Sequence, residues 1–159
     1  MENLFIGHGG VSRWMSFHEP ITKILVENVC TVRADASVKD AAKLMIEKRI
    51  SCLPVSMGQG AIGMVTEKDI LGKVVATGAD SRKIRVGDIM STPLILATMD
   101  ITIGEAAKKM MENNIRRLVV SDQNGRLLGL VTMTDLIRWV ARGDEHATAV
   151  SDFLGSESQ

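Results

Sequence analysis

The chain has 159 residues, a length that suits one compact domain or two very small ones. Lysine plus arginine number 19, as do aspartate plus glutamate, so the formal net charge is zero. This balance argues against a nucleic-acid-binding protein, because such proteins usually carry an excess of basic residues.

The sequence shows no sign of membrane insertion, export or metal binding. Its apolar runs fall short of the ~18 residues of a membrane-spanning helix, and the N-terminus has neither a basic start nor a continuous apolar stretch. Cys30 and Cys52 form no C-x-x-C pair, and the three histidines lie near the chain ends without metal-ligand spacing. We therefore expect a cytoplasmic protein with reduced cysteines, no membrane contact and no bound metal.

The sequence contains an internal repeat. Residues 35–56 align with residues 100–121, and ten of these 22 positions are identical. After a one-residue gap the match resumes, with GMVTEKDI at 63–70 against GLVTMTDL at 129–136. The chain is a tandem duplication, and since a repeat of about 60 residues buries little surface alone, we expect the two copies to pack together.

Each copy begins with a short strand and an amphipathic helix. The strands are predicted around residues 30–33 and 94–97. Ser37 and Thr102 are candidate N-caps, and an acidic residue follows each of them three positions later, as in a capping box. Alanine and methionine then recur at helical spacing along each helix. Because these small, Met-rich faces exceed what one repeat pair can bury, they predict a homodimer.

Two further strands and a second helix follow in each copy. The strands are predicted over residues 52–55, 61–65, 118–120 and 127–131, with turn residues between the members of each pair. The second helices are predicted over residues 67–76 and 133–141, with Gly78 and Gly143 as caps. Each repeat therefore reads β-α-β-β-α.

A G-x-G-x-x-G sequence at Gly58, Gly60 and Gly63 has a different explanation from nucleotide binding. A dinucleotide-binding loop needs a helix that opens on its last glycine, whereas Gly63 lies inside a predicted strand. We therefore predict a hairpin turn at this position.

The repeats divide the chain into five segments. Residues 1–20 form an N-terminal extension, and residues 144–159 form a C-terminal tail. Repeat 1 covers residues 21–79 and repeat 2 covers residues 91–143, with a connector at 80–90.

Two β-α-β-β-α units that each carry G-h-h-T-x-x-D, where h is hydrophobic, resemble a tandem cystathionine-β-synthase (CBS) domain pair over roughly residues 21–142. The resemblance implies an α+β (α/β) fold in which the two repeats pack as a pseudo-twofold pair. It further implies that the cleft between the repeats binds AMP, ADP, ATP or S-adenosylmethionine. Such pairs are expected to dimerise and to regulate a partner protein.

The T-x-x-D motifs carry the candidate binding chemistry. Thr66 and Thr132 stand where a strand leads into a helix, so exposed N–H groups and the hydroxyl favour a phosphate there. Asp69 and Asp135 can accept hydrogen bonds from both ribose hydroxyls, which is the role that the resemblance implies. The same spacing also forms a capping box that only satisfies the helix N-terminus. The residues alone leave both interpretations open.

The resemblance adds residues from the loop that precedes each hairpin. Arg116 and Arg117 are implied to reach a phosphate, although a solvated pair at a strand end is the alternative interpretation. Since repeat 1 has Ser51 and Cys52 in their place, we expect the pocket that the arginines serve to be preferred. The remaining ligand-binding residues that the resemblance implies are Thr31, Ile50, Pro54, Ile115, Leu118 and Met133.

The sequence therefore predicts a stand-alone, non-enzymatic sensor. It shows no nucleophile–base pair and no metal cluster that could support catalysis. The predicted module binds an adenosine nucleotide and signals in trans to a regulated protein. The alternative is a structural interaction module that binds no nucleotide.

Overall fold

The computed structural model describes residues 16–58 and 60–142. The strands are β1 (Val32–Arg33), β2 (Cys52–Met57), β3 (Gly60–Thr66), β4 (Leu96–Ala97), β5 (Arg117–Ser121) and β6 (Leu127–Thr132). The helices are α1 (Val38–Lys48), α2 (Glu67–Ile70, continued by the π-helical turn Leu71–Val75), α3 (Val86–Ile89), α4 (Ile103–Glu112) and α5 (Met133–Arg142). Two short 3-10 helices, Ser16–His18 and Ile21–Lys23, precede β1.

Each repeat contributes one three-stranded sheet, with the strand orders β1-β2-β3 and β4-β5-β6. In the first sheet β1 and β2 are parallel, because α1 crosses between them, and β2 and β3 form an antiparallel hairpin. Gly58 has a φ of +68° in the hairpin turn and Gly63 lies within β3, which confirms the hairpin prediction. The β-α-β-β-α order and the mixed α/β fold class are confirmed.

The described residues form two compact units that do not coincide with the sequence repeats. Residues 27–96 and 119–129 form one of them, which we call the repeat-1 unit. Residues 16–26, 97–118 and 130–142 form the other, the repeat-2 unit.

The core of the repeat-1 unit forms between α1 and the first sheet. The alanine and methionine face of α1 is buried as its spacing predicts. Val74 adds to this core from the predicted second helix, and Val86 and Ile89 extend it beyond the predicted elements. Complete burial of one such side chain contributes about 1.5–3 kcal/mol, so these additions matter to the unit's stability.

The connector between the repeats contains a helix that the sequence analysis did not predict. Val86 and Ile89 of α3 are buried in the repeat-1 core, so this segment folds with repeat 1. The Val86 N–H donates to the Ala36 carbonyl at 3.0 Å, which fixes α3 beside the start of α1. A four-residue helix has too little periodicity to be recognised from sequence, and its burial depends on distant residues.

The N-terminal segment packs in the repeat-2 unit. The Ile21 N–H donates to the Ile101 carbonyl at 3.0 Å, and the Ile103 N–H donates to the Glu19 carbonyl at 2.8 Å. Ile21 is fully buried. Residues 16–26 therefore belong structurally with repeat 2, although the repeat pattern assigns part of them to repeat 1. The predicted tail at 144–159 and the Gly143 cap lie outside the described residues.

The second helix of repeat 1 differs from the continuous α-helix predicted over residues 67–76. The Ala76 N–H donates to the Leu71 carbonyl at 2.8 Å, which is the wider spacing of a π turn. Gly72 lies inside this turn, where repeat 2 has Arg138. Because glycine has the weakest preference for α-helical geometry of all residues except proline, the wider turn costs less there. Gly78, with a φ of +70°, ends the segment as predicted.

Arg49 ends α1 in a left-handed conformation, with a φ of 53°. Its counterpart in repeat 2, Asn114, has a φ of 50°. Asparagine adopts this conformation more readily than a long-chain residue, because its short polar side chain hydrogen-bonds locally.

We expect Arg49→Asn to stabilise the protein by on the order of 0.5–1 kcal/mol, since it relieves left-handed strain. Chemical denaturation measures the change. Lys48→Asn is the matched control, because the chain is still helical at Lys48 and asparagine there should destabilise. Equal destabilisation by both substitutions would contradict the strain at Arg49.

Candidate functional site

The first candidate site lies where β3 leads into α2. The Asp69 N–H donates to Thr66 Oγ1 at 3.2 Å, and the Thr66 N–H donates to Asp69 Oδ2 at 3.0 Å. The Thr66 hydroxyl donates to the same Oδ2 at 2.6 Å. These bonds form a complete capping box, which fixes the carboxylate at the first turn of the helix.

The second candidate site repeats this arrangement where β6 leads into α5. The Asp135 N–H donates to Thr132 Oγ1 at 3.3 Å, while the Thr132 N–H and hydroxyl donate to Asp135 Oδ2 at 2.8 and 2.6 Å. The T-x-x-D motif therefore forms a capping box in both repeats. In each box only Oδ2 of the carboxylate takes part, which leaves Oδ1 available for a further interaction.

The loops that contain Ser51 and Arg116, where the resemblance implies ligand-binding residues, lie directly beside these junctions. The Glu67 N–H donates to the Ser51 carbonyl at 3.1 Å in repeat 1. In repeat 2 the Met133 N–H donates to the Arg116 carbonyl at 2.9 Å. Each predicted loop is thus tied by its backbone to the first residue of the following helix.

The predicted site residues differ in how far solvent or a ligand can reach their side chains. Cys52, Pro54 and Leu118 are buried, Arg116 is exposed, and Thr31, Ile50, Ser51, Thr66, Asp69, Ile115, Arg117, Thr132, Met133 and Asp135 are half-buried. The buried side chains support their sheets, so a ligand could meet them only through their backbone atoms. Thr31 lies directly before β1.

In repeat 1, a lysine from α2 occupies the second oxygen of the aspartate. Lys73 Nζ lies 2.9 Å from Asp69 Oδ1 and also donates to the Ile89 carbonyl at 2.6 Å. The Asp69 side chain is only 13% exposed. Both of its carboxylate oxygens are therefore engaged within the repeat-1 unit.

These contacts set the charge state of Asp69. Partial burial, the largest influence, raises the pKa of the carboxyl, but the hydrogen bonds from Lys73 and Thr66 together outweigh it and hold the pKa below its usual value. The stability gained from the ionised carboxylate is present above the unfolded pKa, near 4, and is lost as the pH falls through the lower folded pKa.

In repeat 2, a cavity of about 220 Å³ adjoins the aspartate. Trp139 stands at the position that corresponds to Lys73, and Asp135 Oδ1 accepts no hydrogen bond from any residue that the structure describes. The cavity is lined by Lys23, Ile24, Leu25, Asp135, Arg138, Trp139 and Arg142. Three cationic side chains and one carboxylate make its lining net positive.

A family model for the CBS domain matches residues 21–76 and 86–142. The chain belongs to the CBS domain family. The duplicated T-x-x-D junctions are thus the corresponding motifs of two CBS repeats, and a CBS pair is a regulatory module. The assignment to CBS domain pairs that was made from the sequence is confirmed.

Relatives and solved structures agree with this assignment. The CBS domain-containing protein YhcV of Bacillus subtilis is 34% identical over 113 residues, which is 70% of this chain and 79% of YhcV. The chain spans less than half the length of other curated relatives, 39% of one and 24% of another.

Two solved structures show the same fold as this chain. A CBS-domain protein from Burkholderia ambifaria MC40-6 has a TM-score of 0.70 and 34% identity, over 76% of this chain and 93% of that one. The CBS domain pair of the protein MJ0100, in complex with methylthioadenosine and S-adenosylmethionine, has a TM-score of 0.71 and 28% identity, over 79% and 98%.

The described residues contain neither a helix that could span a membrane nor a cluster of metal-ligating side chains. Within residues 16–58 and 60–142, no helix has the length and apolar character to cross a membrane. In the same ranges, histidine, cysteine and acidic side chains form no group of three that could hold a metal ion.

Sequence reasoning missed several residues that distinguish the two CBS repeats beside their aspartates. Lys73 follows Asp69 by four positions, a spacing that places both on one face of a helix and could have indicated their ion pair. Arg138 follows Asp135 by three positions and Arg142 follows Arg138 by four, so their spacing could also have placed them on one face of α5. Lys23 gave no such signal, because it is distant in sequence from α5.

We expect Lys73→Met to raise the pKa of Asp69, since the change removes the charged donor that lowers it. Carboxyl carbon shifts followed by NMR against pH measure this pKa. Lys68→Met is the matched control, because Lys68 lies on the same helix and is exposed. An unchanged Asp69 pKa in Lys73→Met would contradict the role of the ion pair.

Proposed function

We propose that this CBS pair senses an adenosine ligand, AMP, ADP, ATP or S-adenosylmethionine, and signals to a regulated protein in trans. The principal site is the T-x-x-D junction of repeat 2. The observation that carries the proposal is that Asp135 Oδ1 accepts no hydrogen bond from the described residues and lies beside a cavity. A carboxylate oxygen that is held in place by a capping box is ready to accept hydrogen bonds from ribose hydroxyls.

The charges around this cavity favour an anionic ligand. Lys23, Arg138 and Arg142 outnumber the single carboxylate of Asp135. Arg116 and Arg117, on the loop and strand beside the same junction, add two further cations. A phosphate near these groups gains charge-assisted hydrogen bonds. The adenosyl ligands of the MJ0100 pair support the choice of ligand class.

Regulation by such a site requires the ligand to bind one conformation of the chain, or of its complex with a partner, more tightly than another. The ligand then shifts the equilibrium by its difference in affinity for the two states. No catalytic step is part of this proposal.

We expect AMP to bind the wild-type protein, and Asp135→Ala to lower its affinity roughly tenfold to a hundredfold, because a charged acceptor for the ribose is lost. Isothermal calorimetry measures both affinities. Asp69→Ala is the matched control, since it removes an equivalent capping box from α2, and it should change the affinity little.

The outcome of this experiment also decides between functions. Equal affinity of Asp135→Ala and the wild type for AMP would contradict the assignment of Asp135. If none of AMP, ADP, ATP and S-adenosylmethionine shifts the melting temperature, the structural interaction module is favoured instead. The complete capping boxes in both repeats support that alternative. A ligand at 100 times its Kd should add about 2.7 kcal/mol of stability.

Exposed apolar side chains on the helices support self-association as a homodimer. Ile46 on α1 and its counterpart Met111 on α4 are 78% and 74% exposed. Leu71 and its counterpart Ile137, on the second helices, are 60% and 52% exposed. The same two positions are thus apolar and exposed in both units, which is the pattern of a surface that a partner copy covers.

We expect the wild-type protein to sediment at twice the chain mass of 17.3 kDa, and the double substitution Ile46→Glu, Met111→Glu to sediment as a monomer. Charges at these positions would be buried without partners in a helix-mediated dimer. Met57→Glu is the control, because Met57 is also largely exposed, at 67%, but lies at the end of β2. Wild-type protein that stays at 17.3 kDa at high micromolar concentration would refute the dimer.

A further inference from the structure

The two CBS repeats differ at the residue four positions after the motif aspartate. Repeat 1 has Lys73 there, and repeat 2 has Trp139. The surrounding framework is the same in both, because each aspartate closes the same capping box with its Oδ2. The repeats therefore differ in the group that is available to contact Oδ1 of each aspartate.

Lys73 is held at two points rather than one. Its ammonium group lies 2.9 Å from Asp69 Oδ1 and donates to the Ile89 carbonyl at 2.6 Å. An isolated surface ion pair contributes little, because the long lysine side chain must be ordered to form it. Here the second anchor on α3 and the 13% exposure of the Asp69 side chain favour the ordered state.

A ligand hydroxyl at Asp69 Oδ1 would compete with this ammonium group. Oδ2 already accepts two hydrogen bonds, and Oδ1 accepts one from Lys73, so the carboxylate has room for about one more. To accept hydrogen bonds from both ribose hydroxyls, Asp69 would have to release Lys73, which replaces a bond between two charged groups with one from an uncharged donor. The ammonium group also donates to the Ile89 carbonyl, and this second bond holds it beside Asp69. The exchange is therefore unfavourable unless the ligand provides a compensating contact.

In repeat 2, the corresponding surroundings of Asp135 contain no lysine at the position of Lys73. Ile24 corresponds to Ile89 in the aligned repeats, and it lines the cavity together with Asp135 and Trp139. The three counterparts of Asp69, Lys73 and Ile89 thus surround open space, whereas in repeat 1 the ammonium group joins the corresponding groups directly.

We propose that Lys73 is an internal occupant of the repeat-1 site, which takes the place of ribose hydroxyls at Asp69 and keeps this site closed to adenosine ligands. The proposal rests on the proposed function and deepens it. The chain then binds one adenosine ligand, at repeat 2, and the loss of the Lys73 ammonium opens a second site at repeat 1.

Calorimetric titration with AMP tests this occupant role. Wild type and the Lys68→Met control should bind one AMP per chain, and Lys73→Met should bind two, because methionine keeps most of the apolar stem and removes the charge. Adding Asp69→Ala to Lys73→Met should return the stoichiometry to one. A stoichiometry of one for Lys73→Met, with wild type also at one, overturns the role of Lys73 and leaves the proposed function standing.

Other outcomes are equally decisive. Weaker binding of AMP by Lys73→Met would mean that Lys73 holds the phosphate, which overturns the proposal. If neither protein binds AMP, ADP, ATP or S-adenosylmethionine, the proposed function itself is overturned.

The reciprocal change in repeat 2 keeps the proposal testable if Lys73→Met does not fold. Trp139→Lys should lower AMP affinity at least tenfold more than Trp139→Met, because both remove the ring and only lysine offers an ammonium to Asp135. Equal losses in the two variants would overturn the proposal.

Discussion

The rest of the structure depends on how the motif aspartates use their carboxylates. One oxygen closes a capping box, and the other is left for a further contact. At each strand-to-helix junction, Oδ2 of the motif aspartate receives the threonine N–H and hydroxyl, while the threonine oxygen accepts the aspartate N–H. The aspartate cannot turn away without exposing these donors, so its second oxygen has a fixed place. The structural and the ligand-binding interpretations of T-x-x-D are thus compatible.

The two repeats differ in what lies next to this second oxygen. In repeat 1 it is an ammonium group on the same helix, with a further bond to the connector helix α3. In repeat 2 it is a cavity with a positive lining. Duplication supplied two equivalent frameworks, which carry Lys73 in repeat 1 and Trp139 in repeat 2 at the same helical position.

Much of this organisation could be predicted from the sequence, and the exceptions share a physical cause. The repeat, the capping boxes at Thr66 and Thr102 and the hairpins depend on residues close together in the chain, and the structure has them all. The burial of α3, the packing of the N-terminal segment beside Ile101 and the contact of Lys73 with Ile89 depend on residues distant in sequence. Periodicity and spacing carry no information about such contacts.

The most direct test of the central claim is to follow backbone amide shifts by NMR while AMP is added to the wild-type protein. The amides of residues 132–135 carry the capping box of the site that we assign to the ligand, and those of residues 66–69 carry the box beside the Lys73 ion pair. We predict saturable shifts at residues 132–135 and none at residues 66–69. Shifts confined to residues 66–69, or an absence of shifts at both junctions, would contradict the account.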